Sequence, residues 1–434
     1  MEYILQNGLV IDPQNNLEKE LDIHIRDGVI AEVGTGLSSP QARVLDLRGR
    51  IVAPGFIDMH VHLREPGGEA HETILTGCRA AVAGGFTAVA DMPNTKPCAD
   101  NEGVVELVLA RSRAVGLARV YPIGTISKGQ KGEEISEIGN LFNAGIVAIS
   151  DDGKPVVNSE VMRHALKYAQ IFNLPVISHC EDPYLTENAQ MHEGYWSTQL
   201  GLKGIPAEAE EIMVARDILL AKLTGGRLHL AHVSTRGSVE LLRFARQQGI
   251  QVTAEATPHH ILLTDAEVAG YNTSTKVNPP LRSEEDVQAV REAVLDGTIT
   301  CLASDHAPWS QEEKEQEYAK APNGISGLET AVPVCWDTLV VKGGMKPQDF
   351  IARFTAGPAR VLNLTTGISP GLPADLTVID PQLVKKVEVS KFYSKGKNSP
   401  LDGRVFQGWP VLTVVQGKIV MQDGMVIGGR EQDA

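Results

Sequence analysis

Histidine and aspartate side chains recur where the predicted strands of this sequence end. The first group is the segment Asp58-Met59-His60-Val61-His62. Because side chains two residues apart on an extended segment point to the same side, His60 and His62 can face one centre. Later strand ends carry Asp151, Asp152, His179, His232 and Asp305. Imidazole and carboxylate ligands without thiolates are typical of sites for Zn²⁺ or a similar divalent ion.

These candidate ligands outnumber what one catalytic zinc ion needs, which favours two ions joined by a bridging carboxylate. Such ions lower the pKa of bound water and polarise a carbonyl group, so the predicted chemistry is metal-assisted hydrolysis. Each position alone also has an ordinary interpretation. A histidine at a strand end is often only a hydrogen-bonded polar residue, and Asp152-Gly153 is typical of a turn. The prediction rests on the joint placement of the residues.

The remaining histidines lack this placement. His259 and His260 also follow a predicted strand, and we interpret them as loop residues or as residues that support the ligands. Surface or core positions are expected for His24, His71, His164, His192 and His229, whereas His306 directly follows Asp305 at the end of a predicted strand.

Eight short apolar segments alternate with helical patterns through the middle of the chain. They are Val52–Met59, Thr87–Met92, Arg119–Ile123, Ile146–Ser150, Pro175–Ser178, Arg227–His232, Gln251–Thr257 and Ile299–Ser304. Segments that are apolar over most of their length indicate parallel strands buried on both faces. Eight strand–helix alternations predict an α/β fold with a (β/α)₈ TIM-type barrel, in which all these strand ends meet on one face.

Two helices are predicted most clearly. Residues 207–223 carry apolar side chains at helical spacing, and Ser283 followed by three acidic residues predicts a helix start ahead of residues 287–295. In the first helix, apolar residues recur at Ile212, Ala215, Leu219 and Leu223, which is the spacing of the apolar face of a helix.

The two ends of the chain read differently from its middle. Short alternating strands and turns run from residue 3 to about 47 and again from about 374, without helical patterns between them. We therefore predict one small β-sandwich domain composed of residues 1–50 and 366–434, with the barrel spanning residues 51–365.

Composition narrows the functional class. The chain has 434 residues and a formal net charge of −14, which disfavours nucleic acid and anionic membranes as partners. Its five cysteines are widely spaced without a CxxC pair, which argues against a disulfide framework. The first residues lack a signal-peptide pattern and no apolar run reaches membrane-spanning length. We expect a cytoplasmic protein with a small-molecule substrate.

Long motifs around these residues resemble type I dihydroorotases of the amidohydrolase superfamily over nearly the whole chain. The motifs cover residues 58–67, 91–95, 201–206, 229–235, 257–260, 276–282 and 304–308. The resemblance implies two Zn²⁺ ions per subunit, held by His60, His62, Asp152, His179, His232 and Asp305. Many relatives bridge the metals with a carbamylated lysine from strand four, but residues 146–150 contain none. Asp152 resembles the aspartate that replaces it, with Asp151 as the fallback and Lys154 a remote one.

The resemblance also implies a reaction, namely the reversible cyclisation of N-carbamoyl-L-aspartate to L-dihydroorotate in pyrimidine biosynthesis. A hydroxide bridging the metals would be the nucleophile, and Asp305 would act as general base and then acid. Arg64 and Asn94, beside His62, would bind the substrate carboxylate, and Asn278 would contact the ring. The family further suggests a homodimer and association with aspartate transcarbamoylase.

Two positions depart from the family. Trp309 stands where dihydroorotases usually carry a histidine that helps to bind the substrate carboxylate, and Pro322-Asn323-Gly324 replaces the usual Pro-Phe-Gly. Indole carries no charge and offers one donor, so substrate binding is where this chain is expected to differ. Without its motif, Arg64 would be interpreted as a structural ion pair, for example with Glu65.

Three other functions compete with dihydroorotase. A hydantoinase, dihydropyrimidinase or allantoinase would act on a ring without a carboxylate, which suits Trp309. Against it stand the Arg64–Asn94 pair and the absent strand-four lysine. A non-catalytic subunit that scaffolds aspartate transcarbamoylase is expected to lose metal ligands, yet all six are present. A purely structural barrel would not place so many potential ligands at strand ends.

Overall fold

Eight parallel strands form the barrel on which the predicted ligands lie. In the computed structural model, which describes residues 2–429, they are β1 Phe56–Val61, β2 Phe86–Asp91, β3 Arg119–Pro122, β4 Ile149–Ser150, β5 Val176–Ser178, β6 Leu228–Leu230, β7 Val252–Ala256 and β8 Cys301–Leu302. Strands β1–β3 pair side by side, as do β4–β8. Two single bridges, Gly124 to Ile149 and Val61 to His306, close the ring. The predicted barrel is confirmed.

The predicted strand Val52–Met59 is wrong as one element. The chain divides it at Gly55, and Ile51–Pro54 pairs with Leu376–Lys386 in the small sheet, whereas β1 begins only at Phe56. A Cβ atom at Gly55 would collide with the side chain of Thr87 on β2, so the chain can pass this close only at a glycine. Apolar residues lie on both sides of Gly55, and the sequence pattern therefore predicted one continuous strand.

Helices surround the barrel and fill its connections. The α-helices span Ile74–Ala83, Glu102–Val115, Ile138–Ala144, Ser159–Ala169, Pro183–Thr186, Tyr195–Leu200, Glu208–Thr224, Arg236–Gln247, Pro258–Leu262, Glu284–Leu295, Gln311–Lys314, Ala331–Cys335, Pro347–Phe354 and Ala356–Leu362. The predicted start at Ser283 is confirmed, because its side chain accepts a hydrogen bond from the Asp286 backbone N–H at 3.2 Å. Among residues 2–429, no helix has the length and apolar character needed to cross a lipid bilayer.

The helix Glu208–Thr224 is present, but its predicted buried face is wrong. Ile212, Leu219 and Leu223 are 51%, 61% and 69% exposed. The buried side chains are instead Met213, Val214 and Ile218. This face packs between the neighbouring helices Ser159–Ala169 and Arg236–Gln247. Both faces of the helix carry aliphatic residues, so periodicity alone could not select the one that turns toward the barrel.

Both ends of the chain contribute to one nine-stranded, largely antiparallel sheet beside the barrel. Its strands are Glu2–Asp12, Leu17–Arg26, Val29–Gly34, Arg43–Asp46, Ile51–Pro54, Leu376–Lys386, Val405–Val415, Lys418–Gln422 and Met425–Val426. The sheet has its own apolar core, which includes Ile23, Ile25 and Val378. Because Ile51–Pro54 pairs here, the sheet extends past residue 50, and the exact domain bounds stay a prediction.

Candidate active site

Six side chains from five strand ends meet at the carboxyl end of the barrel. Asp152 Oδ1 lies 3.4 Å from His60 Nε2, 3.6 Å from His179 Nδ1 and 3.5 Å from His232 Nε2. Asp305 Oδ1 lies 3.2 Å from His62 Nε2 and 3.5 Å from His60 Nε2. All six are buried. We call His60, His62, Asp152, His179, His232 and Asp305 the metal cluster.

The donor set of the metal cluster fits a divalent cation. His60 Nε2 and Asp152 Oδ1 are buried without a hydrogen-bond partner, which native proteins rarely tolerate unless water or an ion completes the site. Two groups of three residues, one formed by His60, Asp152 and His232 and the other by His60, His62 and Asp305, each bring their ligand atoms within 4.8 Å of one another. Imidazole and carboxylate donors of this kind suit zinc.

The buried carboxylates in and around the metal cluster favour binding of a cation. Burial disfavours the ionised form of His60, yet the nearby Asp152, Glu255 and Asp305 carboxylates raise the pKa of this imidazole well above its usual value. Burial likewise opposes ionisation of Asp305, but His60 and His62 hold the pKa of its carboxyl well below the usual range. A site in which carboxylates outweigh the permanent cations attracts a metal ion.

The structure separates the two adjacent aspartates. Asp151 turns away from the cluster, because its Oδ1 accepts backbone N–H groups of Ile126 at 2.8 Å and Ser127 at 3.1 Å. Asp152 occupies the position between the histidines, and Lys154 is exposed. Of the three alternatives for the bridging ligand, the geometry therefore favours Asp152.

Two carboxylates that the sequence analysis did not single out support the histidines. Glu255 on β7 contacts His60 Nδ1 at 2.5 Å, and its other oxygen contacts His229 Nε2 at 3.2 Å. Glu181 contacts His179 Nε2 at 2.8 Å. Such contacts fix which ring nitrogen faces a metal. An available signal was an acidic residue inside the otherwise apolar strand Gln251–Thr257, because such a charge is almost never buried without a partner.

His259 and His260 belong to the short helix Pro258–Leu262 rather than to a loop, which corrects one of the two interpretations given above. Both are buried. His260 Nδ1 lies 2.8 Å from the Thr257 hydroxyl and its Nε2 lies 3.0 Å from the Pro279 carbonyl oxygen. Both ring nitrogens of His260 are thus occupied, and it is not a member of the metal cluster.

A cavity of about 250 Å³ opens above the metal cluster. The residues predicted to bind substrate all line it, and they are His62, Arg64, Asn94, Asn278 and Trp309. Asn94 Oδ1 lies 2.9 Å from His62 Nδ1, and the Asn278 amide donates to Glu181 Oε2 at 2.7 Å. Both amides therefore connect the cavity wall to the ligands beneath it.

Arg64 does not form the ion pair with Glu65 that would make it purely structural. Glu65 instead accepts the Ile74 backbone N–H at 2.8 Å and pairs with Arg111 at 3.4 Å. Arg64 Nε donates to the Pro308 carbonyl oxygen at 3.3 Å. The remaining donors of its guanidinium are available to the cavity.

Residues 307–326, which follow β8, form one wall of the cavity, and we call them the rim. Asn398 anchors the rim from the connection between the small-sheet strands Leu376–Lys386 and Val405–Val415. Its Oδ1 accepts from the Trp309 backbone N–H at 3.0 Å, and its Nδ2 donates to the carbonyl oxygens of Ala307 at 3.1 Å and Gly324 at 2.9 Å. No spacing pattern in the sequence indicated this role.

Lys314, whose side chain is buried, anchors the rim from within. Its Nζ donates to the carbonyl oxygens of Pro322 at 2.8 Å and Gly324 at 3.2 Å. One backbone hydrogen bond, from the Ala307 N–H to the Ile325 carbonyl oxygen at 2.9 Å, joins the two ends of the rim. The side chains of Asn398 and Lys314 add further bonds to its backbone.

Comparison with known proteins agrees with this geometry. Residues 49–238 match the family model described as "Dihydro-orotase-like". The chain is 54% identical to the dihydroorotase of Pelotomaculum thermopropionicum over 98% of its own length and all of that protein, and 48% identical to that of Pelobacter propionicus over 97% and 99%.

Solved structures share the fold at lower identity. An L-hydantoinase from Arthrobacter aurescens superposes with a TM-score of 0.88 at 25% identity, covering 98% of each chain. The dihydropyrimidinase from Brevibacillus agri gives 0.85 at 23% identity, covering 99% of this chain and 96% of that one. The higher identities and near-complete coverage lie with the dihydroorotases, and the chain belongs to the dihydroorotase family.

Proposed function

We propose that the chain interconverts N-carbamoyl-L-aspartate and L-dihydroorotate in pyrimidine biosynthesis, with two Zn²⁺ ions per subunit. One observation carries the proposal. Asp152, whose Oδ1 is unpartnered and lies 3.4 Å from the unpartnered His60 Nε2, lines the same cavity as Arg64 and Asn94. A carbonyl-activating centre and a carboxylate-binding group thus share one space. That combination suits a cyclic amide that carries a carboxylate.

The six residues of the metal cluster would hold the two ions. Bound zinc would lower the pKa of water and polarise the ring carbonyl. In the hydrolytic direction, Asp305 takes a proton from the attacking water and delivers it to the ring nitrogen as the amide C–N bond breaks. Its contacts with His60 and His62 keep the carboxylate ionised and therefore able to accept that proton.

Substrate orientation falls to the cavity wall. The Arg64 guanidinium offers paired donors to the carboxylate, and the Asn94 amide group adds another, because its oxygen already faces His62. Asn278 also lines the cavity, where its amide donates to Glu181, and it can reach the substrate ring from there. Binding the carboxylate at a fixed distance from the metal cluster would hold the ring carbonyl in position for attack.

The competing functions have weaker support. The chain is 54% identical to a relative that is named dihydroorotase. It is 25% identical to the L-hydantoinase, and with the dihydropyrimidinase, at 23% identity, it shares only the fold. A scaffold without catalysis has no reason to retain all six members of the metal cluster together with Glu255 and Glu181 behind them.

The direct test is hydrolysis of L-dihydroorotate by zinc-loaded protein, by chelator-treated protein and by treated protein with zinc restored. Metal analysis gives the number of ions per chain. Turnover that is lost on chelation and returns with about two zinc ions supports the proposal. Zinc-loaded protein that leaves L-dihydroorotate intact but opens a hydantoin, a dihydropyrimidine or allantoin would assign the chain to that neighbouring activity. Protein that binds no metal would point to the scaffold.

We also propose a homodimer that pairs the exposed apolar stripe Ile212, Leu219 and Leu223 with itself. Glu208 and Lys222 are exposed at opposite ends of this helix face. Antiparallel pairing about a two-fold axis would set Glu208 beside the partner's Lys222, while the aliphatic side chains cover one another. Leu219→Glu is expected to give monomers in analytical ultracentrifugation and Leu107→Glu, at an exposed leucine elsewhere, to leave the dimer intact. A monomeric unaltered protein, or a dimer indifferent to Leu219→Glu, contradicts this interface.

Cytoplasmic location and association with aspartate transcarbamoylase complete the proposal. Both follow from membership of the family rather than from a surface of this chain. Cell fractionation tests the first, and co-purification with an aspartate transcarbamoylase from the same cells tests the second.

A further inference from the structure

Trp309 reaches the cavity from the rim at the position where the family usually carries histidine. Its ring centroid lies 4.7 Å from Arg64 Cζ and 4.7 Å from the ring centroid of His71. Its Nε1 donates to the Asn323 carbonyl oxygen at 2.7 Å. The indole is therefore held by contacts on its ring and by a hydrogen bond at its edge.

The indole has no polar atom left for a substrate. Tryptophan offers a single donor and no acceptor, and that donor is used by Asn323. Trp309 therefore does not replace the family histidine as a ligand of the substrate carboxylate. Its contact with Arg64 has to account for its place in the cavity wall.

The position of Arg64 depends on few contacts. Its Nε donates to the Pro308 carbonyl oxygen, and among residues 2–429 no carboxylate lies within ion-pair distance of it. A guanidinium stacked on an aromatic face is attracted to the ring, and its edge donors remain free. The indole thus holds the Arg64 guanidinium through its ring face and leaves the remaining N–H groups for a bidentate partner.

The contact of the indole with the rim does not explain the second departure from the family, at Asn323. The Asn323 backbone, rather than its side chain, accepts the indole N–H. At Gly324, which the family pattern shares, a Cβ atom would collide with Ala307 and would lie 3.1 Å from Trp309 Nε1. The rim backbone therefore passes close to the indole edge.

We propose that Trp309 is a positioning residue that sets Arg64 for recognition of the substrate carboxylate. The inference rests on the proposed function, in which that carboxylate belongs to N-carbamoyl-L-aspartate or L-dihydroorotate. It assigns the recognition to Arg64 supported by an aromatic face, where the family shares it with a histidine.

A double-mutant cycle with Trp309→Leu and Arg64→Gln tests the inference. Trp309→Leu is expected to raise the KM for L-dihydroorotate about tenfold with a smaller change in kcat, since it removes a desolvated cation–π contact. Trp309→Phe keeps the ring face and should stay within about threefold of the unaltered enzyme. In the Arg64→Gln background, Trp309→Leu should change KM by less than about twofold, because no guanidinium remains to be positioned.

Trp409→Leu is the matched control. Trp409 also donates its Nε1 to a backbone carbonyl, that of Phe406 at 2.8 Å, and lies near a cation, Lys385, but it belongs to the small sheet. Zinc content and thermal melting of every variant show whether it is folded. Folded variants in which the two substitutions have independent, additive effects on KM overturn the inference, as does an unchanged KM in Trp309→Leu.

Failure of the proposed reaction is distinguishable from failure of this inference. If L-dihydroorotate is not turned over, its dissociation constant can be measured calorimetrically for the same four proteins. Binding that shows the coupled pattern upholds the role of Trp309 while the reaction is lost. Turnover with an additive cycle upholds the reaction and rejects the role of Trp309. Unaltered protein that neither turns over nor binds this carboxylate rejects both.

Discussion

The metal cluster and the rim lie on the same cavity but are held in place by different means. Strand ends of the barrel deliver the cluster residues, and Glu255 and Glu181, each on or directly after a barrel strand, fix the ring nitrogens. In the rim, a backbone hydrogen bond joins Ala307 to Ile325, and the side chains of Asn398 and Lys314 hold further carbonyl groups. Barrel geometry thus positions the metal cluster, whereas side-chain contacts position the wall that is proposed to bind substrate, and that wall is where Trp309 and Asn323 depart from the family.

The largest expected effect belongs to the metal cluster. Asp305→Asn removes the carboxylate that moves the proton, and kcat for L-dihydroorotate hydrolysis should fall by roughly 10³-fold, within the range for general acid–base groups. Steady-state kinetics with parallel zinc analysis measures it. Asp296→Asn, which alters an exposed pair with Arg243, should leave kcat unchanged. An Asp305→Asn enzyme that keeps its zinc and most of its kcat would contradict the assigned role.

A substitution at Glu255 tests whether the carboxylate that contacts His60 contributes to zinc affinity. Glu255→Gln weakens the contact with His60 Nδ1, and zinc affinity should fall about 10- to 100-fold. Competition with a chromogenic chelator reports the affinity directly. Glu240→Gln, on the exposed helix Arg236–Gln247, serves as the control. Unchanged zinc affinity in a folded Glu255→Gln protein would mean that the strand ends alone position His60.

A substitution at Asn398 tests how the rim is held in place. Asn398→Ala leaves the buried Ala307 carbonyl group without its donor and removes one of the two donors of Gly324, and kcat/KM should fall about tenfold while zinc content stays the same. Gln407→Ala removes a similar side-chain-to-backbone bond in the small sheet and should leave kinetics unchanged. Loss of zinc from Asn398→Ala would show that the rim and the metal cluster are not independent.

The smallest effect concerns electrostatics beneath the rim. Burial raises the pKa of Glu329 to about 8, although the Ser394 backbone N–H donates to its carboxyl at 3.1 Å. The folded protein therefore holds this proton between pH 4.5 and about 8 more tightly than the unfolded chain. The resulting stability is present below pH 4.5 and is lost as pH rises toward about 8.

Glu329→Gln should remove that dependence. At pH 8.5 its Tm is expected to exceed that of the unaltered protein by about 2 °C or more, and the difference should vanish near pH 4.5. Melting followed by circular dichroism across this pH range measures it. Parallel Tm profiles for the two proteins would contradict the raised pKa. At each pH the two proteins should contain the same amount of zinc, because Glu329 is not part of the metal cluster.

The convergence of the predicted ligands could be inferred because they are tied to strand ends. His60, His62 and Asp305 lie at the ends of apolar segments typical of buried strands, and their convergence follows from the barrel. The break at Gly55 was not predictable, since apolar residues lie on both sides of it and only the passage of Thr87 beside the glycine separates Ile51–Pro54 from β1. The buried face of Glu208–Thr224 was not predictable for a related reason, because both faces carry aliphatic residues.

Partners that are distant in sequence were beyond any pattern. Asn398 lies 89 residues from Trp309 and 74 from Gly324, and a lone asparagine between two strands carries no periodic signal. The contact of Arg64 with Trp309 likewise joins segments that are distant in sequence, one after β1 and one after β8, so the sequence could mark Trp309 as unusual without saying what it contacts.

The place of Asn398 along the chain has a consequence for the order in which the cavity is completed during synthesis. A ribosome that has translated as far as residue 390 has already released every member of the metal cluster, but Asn398 and the strand Val405–Val415 that follows it are still to come. The nascent chain can assemble its ligands before it can fix the wall that selects the substrate. The wall that is proposed to bind the substrate is thus completed later in synthesis than the metal cluster.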